Sequence, residues 1–442
     1  MPDMDREKQN EFMIEKIKER PVNKKKLIRR TLVTAAMAVI FGLIACFTFL
    51  VLEPVINNWL YPEEEPQVVV FPEDQEEMSP EEMLSNSMQS EQEDENVPEN
   101  ITLEDEQIQE ILASVVLDKD NYRELYTSLS NYVGELNRSM VTVTGVNSDV
   151  DWFNNVTESK NQSSGVIVAD NKKELLILTD YGTIKDAEKH TVTFFNNAQA
   201  EAHLKQFDKT TELAILAVNQ ADISQELLND GIKLAQLGSS NVKNIIGMPI
   251  IALGNPMGTS GSVGYGIIAS TSRHLSTVDM NYKLLVTDIY GSQSAGGVLF
   301  NLQNEVVGII TDNHSNTDMK NIITAYGISE LKKVVEKMSN GSAVAYLGIV
   351  GIDVSNEAHT ELKVPLGAYV KEVEMDSPAM LAGIQQGDVI VAVNGSNVMN
   401  FSEYSTLLMQ MEAGQTVNIT VMRQVQEEYK EMPFTITLGE VR

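Results

Sequence analysis

From residue 140 onward the chain is written in short apolar runs: MVTVTGV at 140–146, SGVIVA at 164–169, LLILT at 175–179, TVTFF at 191–195, LAILAV at 213–218, PIIALG at 249–254, GIIAS at 266–270 and VVGIIT at 306–311. These runs are too short for ordinary helices, are rich in Val, Ile and Thr, and are separated by turn residues, so residues 139–338 read as an all-β domain. An NGS turn at 340–342 then opens a second domain, residues 340–442, in which strands alternate with one or two short helices.

Working back from residue 139, residues 102–138 carry a helical period. One apolar stripe runs through Ile108, Ile111, Leu112, Val115 and Val116, and a second through Tyr122, Leu125, Tyr126, Leu129, Tyr132, Val133 and Leu136. At this spacing the tyrosines read as packing, with a subunit contact as the alternative. Between Pro62 and Glu106 stand seventeen Asp and Glu and no Lys or Arg. Such a segment buries too little to fold, so residues 62–101 are expected to form a disordered, self-repelling tether. Residues 31–52 hold no charge and as a helix would rise about 33 Å, enough to cross a bilayer. Lys24, Lys25, Lys26, Arg29 and Arg30 precede this run and acid follows it. The expected topology is therefore a cytoplasmic basic tail (1–30), one transmembrane helix, and everything beyond it extracytoplasmic. The run is long for a cleaved signal peptide and no A-x-A-like site follows it, so an anchor is the preferred reading.

Composition removes several classes of function. A formal net charge of −30 over 442 residues argues against nucleic acid as a partner. The single cysteine, Cys46, lies in the apolar run, which leaves no intramolecular disulfide, structural zinc site or thiol active site. No cofactor is called for.

Several motifs, in order, resemble those of the HtrA (Do-like) serine proteases, which join a trypsin-like domain to a PDZ domain. SSGVIV (163–168) is similar to the family's first-barrel strand, and TTELAILAV (210–218) to its TDLAVLKI strand. ALGNPMG (252–258) resembles the turn between barrels, GIIAS (266–270) the strand after it, QSAGGVLFN (293–301) the family's GNSGGPLVN, and GIIT (308–311) its GIxT strand. In the last hundred residues YLGI, Tyr346–Leu347–Gly348–Ile349, looks like a PDZ carboxylate-binding loop, followed by GAYVKEV, SPAMLAGIQQGDVIVAVNG and a late helix at 403–411. The resemblance implies a mainly β protein: a double six-stranded β-barrel followed by an α+β PDZ domain, assembling as a homotrimer. The PDZ loop implies binding of peptide or unfolded-protein C-termini, by backbone N–H groups and by β-augmentation of the strand that follows.

The catalytic positions depart from the family. The motif that carries its histidine, LTNNHVV, reads here Leu178–Ile184 with Gly182 at the base position. Its aspartate corresponds to Glu212, and its serine, counted back from the Gly-Gly pair, to Ala295. Glycine accepts no proton and alanine attacks no carbonyl, so the triad is degenerate. Three alternatives stay open: a peptide-binding pseudoprotease; an active endopeptidase of envelope quality control in which a shifted register promotes Ser294; and an inactive subunit mixed into active family oligomers. His190 is expected on a surface strand, and His314, beside the former cleft, is the one histidine placed to act as an unconventional base. His203, His274 and His359 show no metal-ligand spacing.

Overall fold

A computed structural model describes residues 24–60, 66–74, 119–150, 156–311, 321–426 and 428–440. The chain divides into two units, residues 1–65 and 66–442. In the first, helix α1 (Lys24–Leu60) contains Ile28–Thr48, a segment with mean hydropathy of 2.2 that is long and apolar enough to cross a membrane. Its polar side chains turn back on their own helix. Thr34 Oγ1 donates to the Arg30 carbonyl (2.7 Å) and Thr48 Oγ1 to that of Ile44 (2.6 Å), the i−4 back-bond open to a threonine inside a helix.

The second unit begins with Pro66–Asp74, and here the structure departs from the reading of 62–101 as one disordered linker. These residues form an extended strap. Val69 and Phe71 are buried, while Val68 and Val70 point away from the core. The strap crosses helix α4 (Ile328–Ser339): Val69 N–H donates to Asn340 Oδ1 (2.9 Å) and Phe71 N–H to Glu336 Oε2 (2.9 Å). Asp74 anchors its end against Lys332 Nζ (2.6 Å) and the Ser239 hydroxyl (2.8 Å), and also accepts from Ser329. Burial pushes the Asp74 carboxyl up, but Lys332 and the two hydroxyls outweigh it and hold the group below its ordinary range. Acidic composition hides two alternating apolar residues and one partnered aspartate, and those suffice to dock the strap.

Helix α2 (Lys119–Leu136) follows; residues 102–118, with the first apolar stripe, lie outside the described residues. Its two ends behave differently. Val133 and Leu136 are buried, and the Tyr132 hydroxyl donates to the Asn301 carbonyl (3.1 Å) and accepts from Asn304 N–H (2.9 Å). Tyr122, Leu125 and Tyr126 are exposed.

Strands β1 (Met140–Val150), β2 (Val156–Asp170), β3 (Glu174–Asp180), β4 (Lys189–Phe194), β5 (Gln199–Asp208) and β6 (Leu213–Asn219) close into a barrel in the order β1-β2-β3-β6-β5-β4, with a single-turn helix, α3 (Tyr181–Ile184), after β3. Strands β8 (Pro249–Gly254), β9 (Ser262–Ser276), β10 (Asn281–Tyr290), β11 (Gly297–Phe300), β12 (Glu305–Thr311) and β13 (Ile322–Gly327) form the second barrel, closed by β11–β12 pairing, and the short β7 (Gln236–Leu237) adds parallel to β12. The uninterrupted apolar runs now have a cause. Leu175 and Ile177 of β3 fill the first barrel, whereas Leu176 and Leu178, on the opposite face, join the core between the barrels and under α4. In β8 Ile250 and Ala252 fill the second barrel while Ile251 and Leu253 face that shared core. With side chains alternating at period two, a strand buried on both faces must be apolar at every position.

After α4 the chain builds a separate core from β14 (Ala345–Tyr346), β15 (Ile349–Asp353), α5 (Asn356–Leu362), β16 (Ala368–Val373), α6 (Pro378–Ala382), β17 (Val389–Val393), β18 (Ser396–Asn397), α7 (Phe401–Met409), β19 (Thr416–Val425), β20 (Glu428–Thr437) and β21 (Gly439–Glu440). The sheet runs β15-β16-β17-β19-β20, with β18 beside β17 and β14 paired to β21. The sequence marks two helix starts. Ser377 caps α6, accepting from Met380 N–H (3.1 Å), with Pro378 in the first turn. Asn400 caps α7, accepting from Glu403 N–H (2.8 Å), while the Glu403 carboxylate returns to Met399 N–H (2.8 Å), a variant of the reciprocal capping box.

Candidate functional site

Two sites merit description, a cleft between the barrels and the loop that leads into β15. The cleft, of about 240 Å³, has Ser164, Thr179, Asp180, Thr183, Thr211, Asn255, Ser294 and Ala295 in its lining, together with apolar residues such as Met140 and Leu213. Its floor is the turn entering β11. Gly297 there has φ of +115°, and a Cβ on it would stand 2.2 Å from the Leu253 carbonyl oxygen, so only glycine lets β11 pair with β8 at this point. Asn255 fastens the turn from the other side. Its N–H donates to the Gly296 carbonyl (3.0 Å), its Nδ2 to the Ser294 carbonyl (3.2 Å), and its Oδ1 accepts from the Ser164 hydroxyl (3.1 Å).

Ala295 stands in this turn, half-buried, and its N–H donates to the Ser292 carbonyl (3.1 Å). That amide is thus engaged within the turn; if Ala295 stands where a serine protease has its nucleophile, it is an oxyanion donor that is already committed. Gly182 and Glu212 do not line the cleft; their neighbours Asp180, Thr183, Thr211 and Leu213 do. Gly182 sits in α3, whose start Asp180 caps through Thr183 N–H (2.6 Å). A Cβ at Gly182 would meet nothing nearer than Asp180 Oδ1 at 3.4 Å, so the backbone leaves room for a side chain that the sequence does not provide. Glu212 is half-buried with φ of +55°, and its carbonyl accepts from Tyr181 N–H (2.8 Å).

Ser294, the fallback nucleophile, is exposed, with its hydroxyl 3.1 Å from that of Ser292. No histidine among the described residues lines the cleft. His190, on β4, has Nε2 3.1 Å from the Ile184 carbonyl; His203 faces Glu174 at 3.3 Å; His359 Nδ1 lies 2.8 Å from the Val364 carbonyl. His274 belongs to β9, and His314 lies outside the described residues. Among the described residues no cluster of His, Cys, Asp and Glu is arranged to hold a metal ion.

In the second site Tyr346–Ile349 makes a turn around Gly348, at φ of +94°, where a Cβ would lie 2.2 Å from that of Ser377. The turn aims three successive N–H groups at one point, and a carboxylate is there. Leu347 and Gly348 N–H donate to Asp279 Oδ2, each at 2.8 Å, and Ile349 N–H to Oδ1 at 3.1 Å. The Tyr404 hydroxyl of α7 adds a bond to Oδ1 (2.7 Å). Asp279 comes from the β9–β10 hairpin of the second barrel, about seventy residues earlier in sequence. Burial pushes its carboxyl above the ordinary range, against the downward pull of these donors. Burial and the neighbouring Asp279 together raise the Tyr404 phenol well above its usual value. Nothing in the sequence around Asp279 marks it for this role beyond a turn-forming aspartate.

Comparison with known proteins agrees with this architecture. Residues 163–309 match the trypsin-like peptidase domain family and residues 346–434 the PDZ domain family. The serine protease Do-like HtrB of Bacillus subtilis is 31% identical over 281 residues, covering 59% of each chain. A probable periplasmic serine endoprotease, DegP-like, of Hahella chejuensis is 30% identical over 291 residues, covering 64% of this chain and 58% of its own. The chain thus spans less than two thirds of the length of these relatives. Among solved structures, the HtrA-type protease AlgW with decapeptide superposes with a TM-score of 0.53 at 21% identity, covering 70% of this chain and 98% of that one, a likeness of fold. On these domains, in this order, the chain is an HtrA-like protein of the serine-protease family: a trypsin-like double barrel followed by a PDZ domain.

Proposed function

We propose that this protein is a catalytically inactive HtrA-like pseudoprotease, which binds peptides or unfolded protein segments through its PDZ domain. The observation that carries the reading is a cleft that Ala295, aligned by its motif with the family's serine, lines and that no histidine among the described residues lines. Hydrolysis of an amide needs a nucleophile and a group to take its proton, and the described residues facing this cleft supply hydroxyls and one carboxylate, Asp180, but no imidazole. The peptide-binding half rests on Leu347, Gly348 and Ile349, whose N–H groups converge as recognition of a terminal carboxylate requires. Peptides ending in an apolar residue are the expected ligands, bound at micromolar strength or weaker.

Helix α1 supports anchoring in the cell membrane, with the basic residues before it on the cytoplasmic side and both barrels and the PDZ domain outside. The exposed Tyr122, Leu125 and Tyr126 of α2 offer a surface for the homotrimer that the family resemblance suggests. A second reading, an active endopeptidase of envelope quality control, draws on Ser294, whose side chain borders the same cleft. The full-length protein, purified in detergent and free of other proteases, should leave unfolded casein intact over hours by gel electrophoresis; steady digestion would select the enzyme reading.

A further inference from the structure

The PDZ carboxylate loop is already occupied by the chain itself. We propose that Asp279 is a built-in ligand of this loop, a side-chain carboxylate in the place of a peptide's terminal carboxylate, which any incoming C-terminus must displace. The inference rests on reading Tyr346–Ile349 as a peptide site and adds its regulation.

The match extends beyond one carboxylate. Asp279 N–H donates to the Ile349 carbonyl (2.7 Å), and Asn281 Nδ2 reaches the Gly351 carbonyl (3.2 Å), two residues along β15. These are alternate carbonyls on the edge of β15 that faces away from its partner β16, the groups an added strand would engage. Ser405 of α7 closes the other side, its hydroxyl donating to the Asp279 carbonyl (2.8 Å). A peptide whose terminus sat at Ile349 would run toward it along β15 in the N-to-C direction. The segment 281 to 279 runs the opposite way, so no main-chain terminus can be presented and a side chain must provide the carboxylate.

The hairpin is shaped for the task. Asp279 has φ of +61°, a left-handed conformation that aspartate tolerates better than most residues, and Thr277 N–H closes the turn on the Met280 carbonyl (2.9 Å). Asp279 is 3% exposed and its carboxylate takes all three loop N–H groups, so a peptide carboxylate and Asp279 cannot share the loop. The docked arrangement also leaves a mark of imperfect fit, since Asn281 Oδ1 is buried without a hydrogen-bond partner. A buried polar atom left unpaired disfavours the closed state and keeps displacement within reach of a peptide.

Occupancy lowers apparent peptide affinity by the fraction of molecules whose loop is open. The test uses the full-length chain in detergent and fluorescent peptides ending in an apolar residue, each with a free carboxylate and as the C-terminal amide, read by fluorescence anisotropy. Asp279→Gly removes the carboxylate and suits the positive φ; it should tighten binding of the free-carboxylate peptides by about tenfold or more and leave the amides weak. Asp279→Asn keeps the side-chain shape but turns an NH₂ toward the N–H donors, should act in the same direction, and decides the matter if the glycine variant does not fold. Equal affinity for the unaltered chain and both variants would overturn the built-in ligand while leaving the peptide site standing. Binding by none of the three, with thermal melting showing all of them folded, would remove the peptide-binding reading and this inference with it.

Discussion

Substituting Ala295→Ser should restore no measurable proteolysis, leaving turnover of an unfolded substrate about a millionfold below that of an intact serine protease. The magnitude follows from how the triad works as a unit: loss of the base alone costs about as much as loss of all three members. Position 182 would still be glycine. Adding Gly182→His is sterically open, because a Cβ there meets nothing nearer than 3.4 Å. Even the pair should fall short by roughly a hundredfold or more, since the amide at 295 is committed to the Ser292 carbonyl and one oxyanion donor is worth about that much. Single-turnover assays on an activated ester, comparing the unaltered chain, Ala295→Ser and Gly182→His/Ala295→Ser, separate these terms; a large gain from Ala295→Ser alone would mean that another group near the cleft takes the proton.

The largest expected effect on stability lies in the PDZ domain, at Asp388→Ala. Asp388 is 1% exposed and accepts two bonds from Arg423, Nε to Oδ1 and Nη2 to Oδ2, both at 2.7 Å, with Gln385 N–H on Oδ2 at 2.9 Å. Arg423 also donates to the Gly383 carbonyl (2.8 Å) and lies over the Phe434 ring at 5.7 Å. Removing the aspartate strands the guanidinium in a site built around a charge, which costs about 3 kcal/mol or more for a largely buried pair. In a domain of this size that lowers the PDZ melting transition by more than about 10 °C, measurable by calorimetry on the full-length protein. A double replacement, Asp388→Leu with Arg423→Met, should recover much of the loss, because it removes both charges together.

How much of this could be read in advance depended on whether the physics was local. The barrel strands were legible because strands buried on both faces are continuous apolar runs, as in LLILT and LAILAV. Helices α6 and α7 declare their starts through Ser377–Pro378 and Asn400–Glu403, although the late helix begins at Phe401, earlier than the expected 403. The assignments of Gly182 and Ala295 rest on motif alignment alone, the first on Leu178–Ile184 and the second on counting back from the Gly-Gly pair that opens β11. The strap was misread, because seventeen acidic residues between 62 and 106 outweigh, in composition, the two apolar side chains that dock it. Asp279 was missed altogether. Its importance comes from a fold that sets a hairpin of one domain against a loop about seventy residues further along, and no local pattern encodes that. The same holds for the Ala295 amide, whose engagement by Ser292 depends on how Asn255 holds the turn.

Labelling with a fluorophosphonate probe tests the absence of a working nucleophile most directly, because it reports an activated serine without regard to substrate. The account predicts no adduct on the full-length protein by intact mass and in-gel fluorescence, at probe levels that saturate an active serine protease. Stoichiometric labelling that disappears in Ser294→Ala would contradict it and make this cleft an enzyme's active site.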